Sequence, residues 1–265
     1  MYRMIAVDMD GTLLNNACEI TPETASAVRE AIERGVLFTI STGRPVQGVE
    51  RYTRQLSLRA PVITYNGAMI VDSGTGEILY EQGLERKDAQ RILALGRARG
   101  TTMCIWSRNR LYGCPLNARV YDYRKISDVE PLAFEEEETI LQDGITKILW
   151  YDDADAIARF QQEMQEEPFD SVTCCRSKPV FLEFFNRRVS KALAMEKIGA
   201  LYGIKQEEMI AVGDGENDLS MIEYAGLGVA MENASPSVRE KAQYVTSSNE
   251  ENGVAKVIRT FLLTQ

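Results

Sequence analysis

The sequence predicts an α/β protein: a doubly wound parallel sheet with an α+β domain inserted into it. Three observations predict this. Residues 1–65 run strand, helix, strand, helix, strand, an order that implies parallel strands joined by right-handed crossovers. Between residues 84 and 186 that rhythm gives way to helices interleaved with strands expected to be antiparallel. From Ser190 onward the alternation resumes. The expected division is therefore a core domain of residues 1–83 and 187–265 and an inserted domain of residues 84–186. A chain of 265 residues is long enough for one large or two modest domains with a sizeable core.

The elements follow in order. Met4-Ile5-Ala6-Val7 reads as a short buried strand, after which come two carboxylates, Asp8 and Asp10, and then Gly11, which permits a sharp turn. Strand side chains alternate, so Asp8 and Asp10 start on the same side of the chain. Thr21 as a capping hydroxyl, Pro22 in the first turn and Glu23 at the positive dipole end start a helix. Ala25, Val28, Ala31 and Ile32 give it one apolar face, and Gly35 ends it. The apolar run 36–40 suits a strand buried on both faces. Ser41-Thr42-Gly43-Arg44-Pro45 then turns into a helix with Val49, Tyr52 and Leu56 inward, and the strand 61–65 ends at Asn66-Gly67. Residues 68–71 and 77–80, separated by the turn-rich 72–76, read as a hairpin.

Within the inserted domain, helices are expected at 86–99 and 153–166, and strands at 102–106, 146–151, 171–176 and 180–185. The acidic run from Glu135 to Glu138 reads as a solvated loop. Ser190 caps a helix carrying Lys191, Leu193, Ile198 and Leu201, stopped by Gly203. A strand at 209–213 leads into Asp214-Gly215-Glu216-Asn217-Asp218. A helix at 219–224, a strand at 227–230 and a helix near 253–263 complete the pattern.

Composition narrows the function. Hydrophobic content of 45% and charged content of 26% are ordinary for a soluble globular protein. A net charge of −9 disfavours nucleic acid or an anionic membrane surface as partner, and any anionic substrate would need local Lys, Arg or metal. Five cysteines without a CxxC pair suit a reduced, cytoplasmic protein. No secretory signal region is visible, and no apolar run approaches the roughly 18 residues that span a bilayer. The chain has no histidine, which excludes Ser-His-Asp triads, His-ligated zinc and phosphohistidine chemistry.

In open α/β sheets ligands bind beyond the carboxyl ends of the strands. Those ends carry Asp8 and Asp10, then Thr42, Gly43 and Arg44, then Asn66-Gly67, then Asp214, Asn217 and Asp218. Asp-x-Asp-Gly alone is also the sequence of a solvated turn. Carboxylates at two strand ends with a hydroxyl at a third instead suggest an oxygen-rich nest for a hard octahedral cation, Mg²⁺. The chemistry these residues permit is phosphoryl transfer through a carboxylate. Asp8 would attack phosphorus, Asp10 would act as acid and base, Thr42 Oγ1 and the Gly43 N–H would donate to phosphoryl oxygens, and Lys191 would supply positive charge. Competing readings stand beside these. Thr42 also suits a helix cap and Ser41 is a rival hydroxyl. Asp218 suits a helix-dipole acid, Arg44 and Asn66 have purely structural alternatives, and Lys191 in isolation would be a solvated charge. Trp106, Tyr112, Arg119, Tyr121 and Arg124 are candidates for a leaving-group pocket, among which spacing does not choose.

The motifs together resemble the haloacid dehalogenase (HAD) superfamily, in the Cof-type branch of class IIB phosphatases. They are Asp8-Met9-Asp10-Gly11-Thr12, Ser41-Thr42-Gly43-Arg44, Lys191, and Gly213-Asp214-Gly215-Glu216-Asn217-Asp218. Tyr65-Asn66-Gly67-Ala68, the segment from Val229 to Ala234, and Asn252-Gly253-Val254-Ala255 extend the likeness over nearly all of the core. The resemblance implies a Rossmann-like core with a C2B-type cap. It also implies Mg²⁺-dependent hydrolysis of a small phosphate monoester, a sugar phosphate or similar, through an aspartyl-phosphate on Asp8. The implied metal ligands are Asp8, the Asp10 carbonyl, Asp214 and, nearby or through water, Asp218. The implied phosphate and substrate contacts are Met9 through its N–H, Thr42, Gly43, Arg44, Asn66, Gly67, Lys191 and Asn217. Ala192 departs from the Gly that often follows the motif lysine; Ala favours helix and is compatible there. Two alternatives share this architecture: a hexose phosphomutase-type phosphotransferase, and an inactive phosphometabolite-binding regulator. The presence of Asp8, Lys191 and Asp214 argues against the second.

Overall fold

The computed structural model describes residues 1–166 and 169–264. The first stretch of chain forms β1 (Met4–Val7), α1 (Pro22–Glu33), β2 (Leu37–Ile40), α2 (Gln47–Gln55), β3 (Pro61–Thr64), β4 (Met69–Asp72) and β5 (Ile78–Glu81). The middle forms α3 (Arg86–Ala98), β6 (Thr102–Ser107), β7 (Arg110–Cys114), α4 (Ala118–Ser127), β8 (Leu132–Ala133) and α5 (Glu137–Asp143). It continues with β9 (Lys147–Tyr151), α6 (Ala154–Glu166), β10 (Val172–Lys178) and β11 (Phe181–Asn186). The last stretch forms α7 (Lys191–Tyr202), β12 (Met209–Gly213), α8 (Leu219–Tyr224), β13 (Leu227–Ala230), α9 (Pro236–Lys241), β14 (Tyr244–Val245) and α10 (Gly253–Ile258). Two compact units result: Met1–Gly43 with Val49–Tyr80 and Ser190–Gln265, and Arg44–Gly48 with Glu81–Val189. No helix among the described residues is long and apolar enough to cross a membrane.

The first unit is built on a parallel sheet in the order β14-β13-β12-β1-β2. β1 lies between β12 and β2, and all four of its residues are fully buried, as its unbroken apolar sequence requires. Met4, Ala6, Met209 and Ala211 pack on Ala194, Met195 and Ile198 of α7 and on Met221 of α8. The register sets Val7 beside Ile40 and Val212, and Gly213 beside Ala230. The loops that begin at Asp8, Ser41, Asp214 and Met231 therefore leave one edge of the sheet together.

The expected third parallel strand behaves differently. β3 pairs antiparallel with β4 in a separate three-stranded sheet, and runs alongside β2 through the parallel bridge Ser41 to Ile63 and the hydrogen bond from Thr39 Oγ1 to Pro61 O at 2.7 Å. The reversal into β4 has a local cause. Tyr65, Asn66 and Gly67 all take positive φ (51°, 57° and 100°), which turns the chain back on itself.

The second unit contains a six-stranded sheet in the order β10-β11-β9-β6-β7-β8, antiparallel except for β7 with β8. One face, with Met103, Ile105, Ile148, Trp150, Leu182 and Phe184, packs on α3, α5 and α6. The opposite face carries Trp106, Lys147 and Glu183, with Tyr123 of α4 against Trp106 and Phe181. Lys147 and Glu183 form a buried ion pair at 3.1 Å, and Ser177 Oγ donates to the other Glu183 oxygen at 2.8 Å. The expected strands and both expected helices are present; β7, α4, β8 and α5 are additions. Glu137 and Glu138 lie in the first turn of α5 rather than in a loop. They pair with Arg97 and Arg86 of α3, and favourable placement at a helix N-terminus adds to that. All five cysteines are free thiols.

Candidate active site

β1 ends in a tight turn that fixes both motif carboxylates. The Asp8 N–H donates to Val212 O at 2.9 Å, which continues the sheet by one residue. Leu13 N–H then donates to Asp8 O at 3.1 Å and Leu14 N–H to Met9 O at 2.9 Å, closing the turn over residues 8–14. Met9 is fully buried and anchors this turn, whereas the Asp10 side chain is exposed. Gly11 has φ +85°, and a Cβ there would lie 2.5 Å from Asp214 Oδ2, so only glycine lets the two loops approach. Thr12 Oγ1 donates to Asp214 Oδ1 at 2.7 Å and joins them.

Lys191 enters from the first position of α7, behind the Ser190 cap whose Oγ accepts from Leu193 N–H at 3.1 Å. Its ammonium is only 1% exposed as a residue and uses all three protons. Nζ donates to Asp8 Oδ1 at 2.6 Å, to Asp218 Oδ1 at 2.6 Å and to Ser41 O at 2.8 Å. Gly67, with φ +100°, makes this possible: a Cβ there would sit 2.2 Å from Ser190 O and hold the helix start away.

Asp218 is fully buried and serves on both sides. Its Oδ1 receives Lys191, and its Oδ2 accepts from the N–H groups of Asp214 at 3.0 Å and Gly215 at 2.9 Å. Asp8, Asp214 and Asp218 each offer a carboxylate oxygen, all within 4.8 Å of one another. Three carboxylates thus surround one ammonium. Burial, followed by Asp218, pushes the Asp8 carboxyl up to about 8, against the pull of Lys191. Burial raises Asp214 as well, with Thr12 working the other way. Burial alone would discharge Lys191, but Asp218 and Asp8 more than offset it and hold the ammonium charged. The unbalanced negative charge and the all-oxygen donor set fit a hard divalent cation.

The remaining sequence candidates divide. Asn66 N–H donates to Thr42 O at 2.9 Å, and Asn217 Nδ2 donates to Asn66 Oδ1 at 3.2 Å, so Thr42, Asn66 and Asn217 are linked at this edge. Thr42 is buried, with its N–H on Ile63 O at 2.9 Å. Ser41 contributes through its carbonyl to Lys191, while its buried Oγ has no hydrogen-bond partner among the described residues. Arg44 groups with the second unit, where Nη1 lies 3.4 Å from Gly48 O. Two contributors escaped the sequence reading: Thr12 as the tie to Asp214, and the Ser41 carbonyl as the third acceptor of Lys191. The hydroxyl directly after Asp-x-Asp-Gly was the available signal for the first; a carbonyl leaves none.

A model of the haloacid dehalogenase-like hydrolases matches residues 5–258. The chain belongs to this family. It is 36% identical to the Bacillus subtilis protein YxeH over the whole of both chains. It is 32% identical to the B. subtilis 5-amino-6-(5-phospho-D-ribitylamino)uracil phosphatase YcsE, over 98% of this chain and 96% of that one. Among solved structures, TM0651 from Thermotoga maritima superposes with a TM-score of 0.89 at 29% identity, covering 98% of this chain and 97% of that one. BT4131, described as a HAD subclass IIB sugar phosphatase, shares the fold with a TM-score of 0.80 at 23% identity over 98% of this chain and 99% of that one. The resemblance read from the motifs is borne out: this haloacid dehalogenase-like chain is a phosphoric monoester hydrolase.

Proposed function

We propose that this hydrolase is an Mg²⁺-dependent phosphatase of a small phosphorylated metabolite, a sugar phosphate or similar monoester, acting through an aspartyl-phosphate on Asp8. One observation carries the reading: Lys191 joins Asp8 to Asp218 beside Asp214, so a buried carboxyl is held by a positive charge among groups suited to a cation. Lys191 holds Asp8 Oδ1, which leaves Oδ2 to attack phosphorus. As the P–O bond to the leaving group breaks, Asp10 gives its proton to the departing oxygen. Asp10 then takes a proton from water, whose oxygen attacks the aspartyl-phosphate, releasing phosphate and restoring Asp8. Thr42, the N–H groups of Met9 and Gly43, and Asn217 serve the phosphoryl oxygens, with Arg44, Asn66 and Gly67 contributing to the substrate site. The Asp8 carboxylate, the Asp10 carbonyl and Asp214 would hold Mg²⁺, which when bound offsets repulsion between Asp8 and the phosphate dianion. Asp218, both of whose oxygens already accept hydrogen bonds, reaches the ion through water in this reading. Residues 1–83 and 187–265 would be the core domain and 84–186 the C2B-type cap, in a cytoplasmic protein.

The test is a panel of phosphate esters assayed for released phosphate with Mg²⁺ present. It includes hexose phosphates and, because YcsE is named for it, a ribitylaminouracil phosphate. Phosphate release with a clear preference among small monoesters supports the proposal. Isomerised hexose phosphate without release would instead support the phosphomutase reading, and no turnover of any ester would support the binding regulator.

A further inference from the structure

The Asp10-bearing loop is held by two asparagines far away in sequence. Asn233, three residues past the end of β13, donates from Nδ2 to Gly11 O at 2.8 Å. Its Oδ1 accepts the backbone N–H of Asn249 at 3.0 Å. Asn249, only 8% exposed, donates from its own Nδ2 to Leu14 O at 3.0 Å and to Asn16 Oδ1 at 3.2 Å. Leu14 is in turn the residue bridged to Asp10. The Asn233 loop itself is rooted in the site, since Met231 N–H donates to Gly213 O at 3.0 Å, one residue before Asp214.

The clamp matters because of what lies between its two grips. Gly11 has no side chain to restrict its backbone and already sits at φ +85°. With Gly11 O released, the turn keeps its closing bonds from Leu13 and Leu14, but the Gly11 carbonyl at its middle loses its side-chain anchor and Thr12 Oγ1 on Asp214 is left to hold that stretch from outside the turn. Asp10 directly precedes this stretch, so a shift of the Gly11 backbone reorients its exposed carboxylate. We propose that Asn233 and Asn249 are positioning residues that hold the Asp10-Gly11-Thr12 backbone so that the Asp10 carboxyl meets the leaving oxygen. This rests on the assignment of Asp10 as the acid.

A purely structural role would slow every substrate alike, whereas a role in proton delivery depends on the leaving group. An alkoxide needs a proton to depart; 4-nitrophenolate does not. kcat/KM reports steps up to formation of the aspartyl-phosphate, so the later use of Asp10 as base does not enter it. The experiment compares kcat/KM of wild type, N233A, N233D and N249A on an alkyl phosphate that the wild type hydrolyses and on 4-nitrophenyl phosphate. N233D keeps an acceptor for Asn249 N–H but loses the donor to Gly11 O, and it removes no volume. Misplacing an acid by about 1 Å costs on the order of a hundredfold, so the alkyl ester should lose about tenfold to a hundredfold in each variant. The aryl ester should lose under about threefold, since its departure does not draw on the general-acid contribution. Equal losses on both esters, or no loss on either, would overturn the proposal. Asp10→Asn on the same two esters tests the assignment of Asp10 itself: a selective loss on the alkyl ester there, without one in the asparagine variants, overturns the clamp alone, whereas equal losses there overturn the acid role, so the two readings fail separately.

Discussion

Replacing Lys191 by methionine probes the centre of the site, because the ammonium is the only positive group in contact with Asp8 and Asp218 among the described residues. Methionine fills nearly the same volume and removes the charge. The change abolishes two carboxylate contacts at 2.6 Å and strands the buried Ser41 carbonyl, whose bond was 2.8 Å. Removing one partner of a buried pair costs about 3–5 kcal/mol, and an orphaned acceptor adds about 1–3 kcal/mol. A proton on Asp8 limits the loss, and that relief depends on pH. Burial holds the Asp8 carboxyl up at about 8 even with Lys191 present, so below that pH the folded chain keeps a proton on Asp8 that the unfolded chain releases near 4. Folded protein that binds more protons than unfolded protein loses stability as pH rises. Loss of Lys191 lets the Asp8 carboxyl rise further, so the two proteins differ in protonation only above about 8; urea denaturation with chelator present should show a loss of about 3–5 kcal/mol at about pH 9.5 and a smaller loss at about pH 6. A loss below about 1 kcal/mol, the scale of an exposed ion pair, or an equal loss at both pH values, would refute the reasoning.

The wild type should follow the same sign in milder form. Burial raises both Asp8 and Asp214, so melting in chelator should fall as pH rises from about 4 to about 8, and Mg²⁺ should raise it more at pH 8 than at pH 5. Gly11→Ala places a Cβ 2.5 Å from Asp214 Oδ2 at φ +85°; calorimetric titration should show Mg²⁺ affinity reduced by at least about tenfold, and unchanged affinity would mean Asp214 is not a ligand. In the second unit, Lys147→Met should destabilise by about 3–5 kcal/mol, while the double change with Glu183→Leu should recover most of that loss in urea titrations. A double variant no more stable than the single one would show that the two charges are not coupled.

The parts of the fold that were legible in the sequence share a cause. The runs at 4–7, 36–40 and 209–213 are apolar apart from Thr39 because parallel strands are buried on both faces, and each ends at a polar turn. The segment 107–146 offered no such contrast. In α4 only Val120, Tyr123 and Ser127 are buried, with Tyr121 and Ile126 exposed, so its apolar stripe is masked. β8 has two residues, both exposed, and no pattern can announce it. The reversal that pairs β3 with β4 has Tyr65 as well as Asn66 in the left-handed backbone region; Asn66-Gly67 signals a turn, but a tyrosine does not signal that conformation.

For the site, strand-end carboxylates and Lys191 were readable because chemistry demands their residue types. The grouping of Lys191 with Asp218 was not, since it depends on how closely Gly67 lets Ser190 approach. Asn233 and Asn249 stand in polar loops where asparagine is ordinary, and only their hydrogen bonds to Gly11 and Leu14 distinguish them.

The central claim is that Asp8 is the nucleophile, and Asp8→Asn tests it most directly. The variant keeps an acceptor toward Lys191 and much the same shape, so it should fold, which circular dichroism can verify. With Mg²⁺ and the preferred ester from the panel, its rate of phosphate release should fall by at least about a thousandfold, on the scale of losing a covalent nucleophile. Acid-quenched wild type turning over a phosphorus-labelled ester should carry a base-labile label on the peptide containing Asp8, and the variant none. Turnover by Asp8→Asn near the wild-type rate would contradict the account.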